Sequence, residues 1–140
     1  MDINTRTSDL LLFDGVNLLD IAGPTQVFHQ ASYFGEIDFK VRPVSLTVES
    51  VTTSCGIEMA VHYRLSSNSK ATDILVPGGP GVNAMLGRPG LQKLIAGWQG
   101  RRPEGRVISI CSGALVVADS GALIGEVDRS IIMRAMSSAT

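Results

Sequence analysis

The segment Ile108-Ser109-Ile110-Cys111-Ser112-Gly113-Ala114-Leu115 constrains this chain more than any other. A short β-branched apolar run stops at Cys111, and a small-residue helical pattern starts directly after it. A strand that turns sharply into a helix lifts one side chain above the sheet edge, the geometry of a nucleophile elbow, and small residues such as Ser112 and Gly113 let the backbone pass closely. A thiol at a helix N-terminus also feels the positive end of the helix dipole, which favours the thiolate. The competing assignment is a buried structural cysteine, since free cysteine is among the most commonly buried residue types.

The rest of the pattern fits an alternating architecture. Apolar runs of strand length at residues 8–13, 39–47, 73–76 and 106–110 alternate with helical spacing, first within residues 21–32 and later at Leu91, Leu94, Ile95 and Trp98. Pro89 suits the start of that second helix and Gly100 its end. Alternation of this kind predicts βαβ units and a parallel sheet covered on both faces, with residues 106–110 as a central strand. Residues 51–54 and 57–62 flank Cys55-Gly56 and predict a hairpin on the sheet edge that buries or flanks Cys55. Alkylation is therefore expected to prefer Cys111 over Cys55.

At 140 residues, 44% hydrophobic with 15 glycines, the chain has the size of one domain. A net charge of -1 without a basic run gives no sign of phosphate-backbone binding by this segment, so no direct nucleic-acid contact is expected. No stretch approaches the ~20 apolar residues of a membrane span, and no basic start precedes an apolar run. A cytoplasmic protein with no membrane partner is the expectation. Its two cysteines lack metal-type spacing, which predicts free thiols and no metal site.

Two further motifs carry chemistry. Gly78, Gly79 and Gly81 follow the buried run at 73–76, as a backbone nest for a developing negative oxygen would; an ordinary turn is the alternative. Asp20, ahead of Gly23-Pro24, has the position of a helix N-cap.

Leu12-Phe13-Asp14-Gly15-Val16, Leu19-Asp20-Ile21-Ala22-Gly23-Pro24, Pro77-Gly78-Gly79-Pro80-Gly81 and Ile110-Cys111-Ser112-Gly113-Ala114 together resemble the DJ-1/PfpI family, the class I glutamine amidotransferase-like domain. Within it, the Leu-Asp-x-x-Gly-Pro segment and Thr53-Ser54-Cys55-Gly56-Ile57 most resemble the sensor domains of AraC-type transcriptional regulators and the isocyanide hydratases. The resemblance implies an α/β fold, a flavodoxin-like parallel sheet with helices on both faces. It implies Cys111 as the nucleophile, Asp20 as the acid against its sulfur, and the Gly79 and Ser112 amides, beside Gly78, as an oxyanion or ligand pocket. It implies no cofactor, a homodimer, and a small-molecule ligand whose identity it leaves open.

The resemblance covers residues 8–125, and the tail 126–140 leaves the pattern. Relatives continue with a strand and a histidine that approaches the nucleophile, whereas the two histidines here, His29 and His62, fall in the first helix and the hairpin. The expectation is a truncated or frameshifted gene whose product lacks the last strands and helix of the fold. Asp119 is also unusual, in a helix segment that relatives fill with small apolar residues. Three functions follow: a sensing domain of an AraC-type regulator without its DNA-binding domain, a cysteine-dependent isocyanide hydratase-like enzyme, or a non-functional remnant of either.

Overall fold

Strand β1 (Asn4–Leu11) passes from an exposed start to a fully buried end, and this gradient sets the interior of the fold. The structure is a computed structural model, and it describes residues 4–101 and 104–122. After β1 come α1 (Leu18–Phe34), β2 (Ile37–Ser45), the short strands β3 (Val51–Thr52), β4 (Glu58–Met59) and β5 (Tyr63–Arg64), and β6 (Asp73–Val76). Helices α2 (Val82–Met85), α3 (Pro89–Ala96) and α4 (Trp98–Arg101) lead to β7 (Arg106–Ser109) and α5 (Gly113–Asp119).

Five strands form one sheet in the order β5-β2-β1-β6-β7, and every pairing in it is parallel. From β1 the chain crosses to β2 on one side, and from β6 it crosses to β7 on the other. Right-handed crossovers in opposite directions put their helices on opposite faces, the doubly wound α/β arrangement expected from the alternation. The core between these layers gathers Leu10, Leu11, Val44, Ile74, Leu75, Val76, Ile95 and Trp98. The Trp98 indole N–H is satisfied by the Thr72 carbonyl at 3.0 Å.

Several local expectations change. Strand β7 is the outermost strand among the described residues, not a central one, and Val107, Ile108 and Ser109 are only half-buried. The hairpin β3–β4 is a separate two-stranded sheet and does not extend the main sheet's edge. Its backbone is tied to the loop after β1, by Gly15 N–H to Thr52 O and Ser54 N–H to Val16 O, both 2.8 Å. The helix expected around Leu91 to Trp98 divides at Gly97 into α3 and α4. The divergence at 126–140 lies outside the described residues.

Helix α1 starts three residues ahead of the expected span because Asn17, not Asp20, is its N-cap: the Asn17 side chain accepts the amides of Leu19 and Asp20 at 2.9 and 3.4 Å. Pro24 lies inside this helix and supplies no N–H for the carbonyl one turn earlier. The Thr25 hydroxyl bonds the next carbonyl, that of Ile21, at 2.6 Å.

Two buried carboxylates sit within this apolar sheet. Asp9 pairs with Arg42 at 3.0 Å, and the two are register partners on β1 and β2. Asp73 pairs with Arg106 at 2.9 Å, again a register partner, and with Arg6 at 2.9 Å. Register partners point to the same face, so each ion pair is satisfied in one alignment of its strands. Burial alone would push the Asp73 carboxyl up, but hydrogen bonds from Arg106 and Arg6 outweigh it and hold the pKa below its ordinary 3.8.

A depressed carboxylate stabilises the fold fully above its unfolded pKa and loses that contribution as pH falls through the folded value. We expect urea midpoints to fall as the pH drops below 3.8, more steeply than in Asp73→Asn. At pH 7 that variant should unfold with about 2–3 kcal/mol less stability, because two guanidinium groups lose their shared anion. Chemical denaturation of both proteins across pH checks this, and equal pH slopes would count against it.

Candidate functional site

Three chain crossings meet at the carboxyl edge of the sheet: the loop from β1 into α1, the Pro77-Gly78-Gly79-Pro80-Gly81 turn after β6, and the turn from β7 into α5. Crevices outside the carboxyl ends of strands, where strand order reverses, are where open α/β sheets bind ligands. Here the reversal falls between β1 and β6. Asn17 N–H donates to Gly78 O at 2.9 Å and Gly81 N–H to Gly15 O at 3.1 Å, lacing the first two loops together.

Cys111 follows β7 by two residues and precedes α5 by two, with φ +53° and an exposed thiol. A left-handed backbone is rare for a residue with a Cβ, and here it re-aims the chain from strand into helix. The helix can start this close to the sheet because residue 113 is glycine; a Cβ there would run into the Val76 carbonyl. An exposed, strained cysteine between strand and helix is the elbow geometry.

The other expected residues form two linked pairs. The Asp20 carboxylate accepts the Gly78 amide at 3.1 Å, and the Ser112 hydroxyl accepts the Gly79 amide at 3.0 Å. No hydrogen bond joins Asp20 to the Cys111 sulfur. The Gly79 amide meets the side chain of Ser112, not a point shared with the Ser112 amide, which has no partner among the described residues. Gly78 must lack a side chain in this packing: a Cβ would lie 2.6 Å from Ser112 Oγ and 3.1 Å from Asp20 Oδ2. Asp20 also stands in the first turn of α1, where a carboxylate is favoured by the helix dipole.

Sequence inspection overlooked Asn17, whose cap orients the turn that carries Asp20. Its signal was present as Asn-x-x-Asp ahead of an apolar run, a variant of the capping box. Asp119, unusual as sequence, has a structural role: its carboxylate accepts the Gly87 amide and the Gln92 side-chain amide, both at 2.9 Å, tying the end of the elbow helix to the α2–α3 turn. These two hydrogen bonds hold its carboxyl below the ordinary value. His29 is exposed on α1 with its ring nitrogen 3.5 Å from the Tyr33 hydroxyl, and His62 is exposed between β4 and β5. Among the described residues no group of three or more His, Cys, Asp or Glu side chains could hold a metal ion, and no helix is long and apolar enough to cross a membrane.

The DJ-1/PfpI family profile matches residues 9–127. The chain is 33% identical over 117 residues to a Streptomyces lividans protein described as an uncharacterized protein in the cpoL 5′ region, covering 83% of this chain and 80% of that protein. The chain therefore belongs to the DJ-1/PfpI family. A ThiJ/PfpI family protein from Pseudomonas syringae superposes with a TM-score of 0.68 at 21% identity, over 86% of this chain and 48% of that one. An AraC family transcriptional regulator from Pseudomonas putida superposes with a TM-score of 0.69 at 17% identity, over 96% of this chain and 89% of that chain. The chain thus spans less than half the length of the Pseudomonas syringae protein.

One expectation about the thiols is corrected. Cys55 is exposed, as Cys111 is, because the β3–β4 turn projects from the sheet. The Thr53 hydroxyl, 3.4 Å from its sulfur, and a backbone hydrogen bond from Ile57 hold its pKa below 9.0. A lowered pKa raises the thiolate fraction at neutral pH. Iodoacetamide is therefore expected to label both cysteines. Thr53→Val should move the midpoint of Cys55 labelling to higher pH and leave that of Cys111 in place. Peptide mass analysis after graded-pH labelling reads both, and a Cys55 profile unmoved by the substitution would contradict the assignment.

Proposed function

We propose that this chain is the small-molecule sensing domain of an AraC-type transcriptional regulator, and that the crevice among Asp20, Gly78, Gly79, Cys111 and Ser112 holds its ligand. The observation that carries this reading is the state of the donors. The Gly78 and Gly79 amides are already taken by Asp20 and Ser112. The groups left for a ligand are a thiol, a hydroxyl, a carboxylate and the Ser112 amide, a set suited to a small polar or carbonyl-bearing molecule. Catalysis of acyl or nitrile-like chemistry leans heavily on bare amides aimed at a developing anion, a contribution of about 10²–10³ in rate for one donor. Extensive overlap with the solved chain of an AraC family regulator adds support.

The exposed, strained thiol favours a second reading, a cysteine-dependent hydratase in which Cys111 attacks an isocyanide carbon, Asp20 assists proton transfer and water is added to give the formamide. p-Nitrophenyl isocyanide separates the two. The sensor reading expects no formamide above buffer, together with reversible adducts or complexes of small carbonyl compounds in native mass spectrometry. Cys111→Ala should remove the adducts, because the exposed thiol is the group that forms them. Formamide production that disappears in Cys111→Ala would overturn the sensor in favour of the enzyme.

We further infer a homodimer built on the outer face of α1. Leu19, Val27, Tyr33 and Phe34 fall on one helical stripe with Gly23, Gln26 and Gln30, and Phe34 is 89% exposed and Leu19 75%. A stripe without a formal charge is self-compatible across a two-fold axis, where like charges would otherwise meet. Sedimentation of the wild-type chain should give a dimer and that of Val27→Glu a monomer of unchanged circular dichroism. A monomeric wild type at tens of micromolar would contradict the interface.

A further inference from the structure

A second cleft opens on the same sheet edge, beyond the ends of β1 and β2, and none of its lining belongs to the Cys111 crevice. Leu12, Phe13, Val51 and Met85 form its apolar wall, and all four are buried. Its volume of about 210 Å³ equals roughly seven water molecules at ~30 Å³ each, room for a molecule of nine or so heavy atoms. Asp14, Glu49 and Arg88 also line it.

The charges are not spent on each other. The ion pairs of the described residues engage Asp9, Asp38 and Asp73 and include none of these three groups. One Asp14 oxygen accepts the Thr52 amide at 2.9 Å, which fixes the carboxylate and leaves its other oxygen open. Arg88 uses its Nε on the Ala84 carbonyl at 2.9 Å. Two carboxylates against one guanidinium give the cleft a net negative charge.

Backbone strain marks the same place. Among the described residues only Val48 and Cys111 combine a side chain with a positive φ, and for β-branched Val48, at +59°, this conformation is the more costly of the two. Its amide is held by Ser45 Oγ at 2.9 Å, and Ser45 itself lines the cleft. The turn through Val48 brings Glu49 and Ser50 to the cleft beside the apolar wall. Strain of this kind persists where surrounding contacts enforce it, and it gathers at ligand clamps.

We propose that this cleft is a second small-molecule site that takes a small primary amine with an apolar body, the ammonium between Asp14 and Glu49 and the body on Leu12, Phe13, Val51 and Met85. A negative cleft selects a cation, the wall selects its apolar body, and the volume limits its size.

The full chain is titrated with four molecules that share a phenylethyl body: 2-phenylethylamine, 2-phenylethanol, 3-phenylpropanoate and phenylalanine. Methyl NMR signals report where each binds. Expected are shifts at Leu12, Val51 and Met85 with the amine, and an affinity about tenfold above that for the alcohol or the carboxylate. Glu49→Gln and Asp14→Asn should each weaken the amine roughly three- to tenfold. Asparagine keeps an oxygen for the Thr52 amide, and Glu49 is exposed, so both variants should retain the wild-type circular dichroism. Equal binding of amine and alcohol, tighter binding of phenylpropanoate or phenylalanine, or shifts confined to Ile21 and Ala114, the methyl-bearing neighbours of Asp20 and of the Ser112-Gly113 turn, would each overturn the assignment. Absence of any shift would overturn it too.

Discussion

Two ion pairs between register partners fix how this sheet is assembled. Asp9 with Arg42 aligns β1 with β2, and Asp73 with Arg106 aligns β6 with β7. Strand β6 and the end of β1 are buried runs with little alternation of their own, so their side chains alone discriminate weakly between neighbouring registers. A slip of one residue would turn each arginine to the other face, taking the cation from buried Asp9 and leaving buried Asp73 with Arg6 alone, a loss far larger than a surface ion pair could restore. The carboxyl ends of β1, β6 and β7 depend on that register. So do the three turns that begin there, and with them Asp20, Gly78 and Cys111.

The candidate site is accordingly a product of backbone placement more than of side-chain packing. Its side chains reach across turns to amides of other turns: Asp20 to Gly78, Ser112 to Gly79, Asn17 to the first turn of α1. Asp119 adds a brace from the far end of the elbow helix. Each contact satisfies a backbone donor that a turn would otherwise leave open, which is why polar residues concentrate where the sheet ends.

The fold class was legible because strand-length apolar runs alternate with helical spacing, and the elbow was legible because Cys111 stands where one period gives way to the other. Strand Asp73–Val76 was read to the residue, its β-branched and leucine run being bounded by polar and Gly-Pro neighbours. Helix α1 was read too short, since Asp20 suggests an N-cap three residues beyond Asn17, which caps the helix in the structure. The buried carboxylates were invisible as such: Asp9 and Asp73 look like strand ends until their arginines arrive from chain segments 33 residues away. The rotamers that join Asp20 to Gly78 and Ser112 to Gly79 likewise depend on contacts between distant turns, which no local pattern records.

Pro24 has a mechanical consequence for the residue one turn ahead of it. Asp20 is clamped through its carboxylate to the turn after β6, yet its own carbonyl lies opposite a proline nitrogen that carries no hydrogen. The first turn of α1 is thus tied to the turn after β6 at the point where its own helix lacks one hydrogen bond. A displacement of the Gly78 loop would therefore reach α1 at Asp20, beside the one carbonyl that Pro24 leaves without a helical donor, the place where a helix bends most readily.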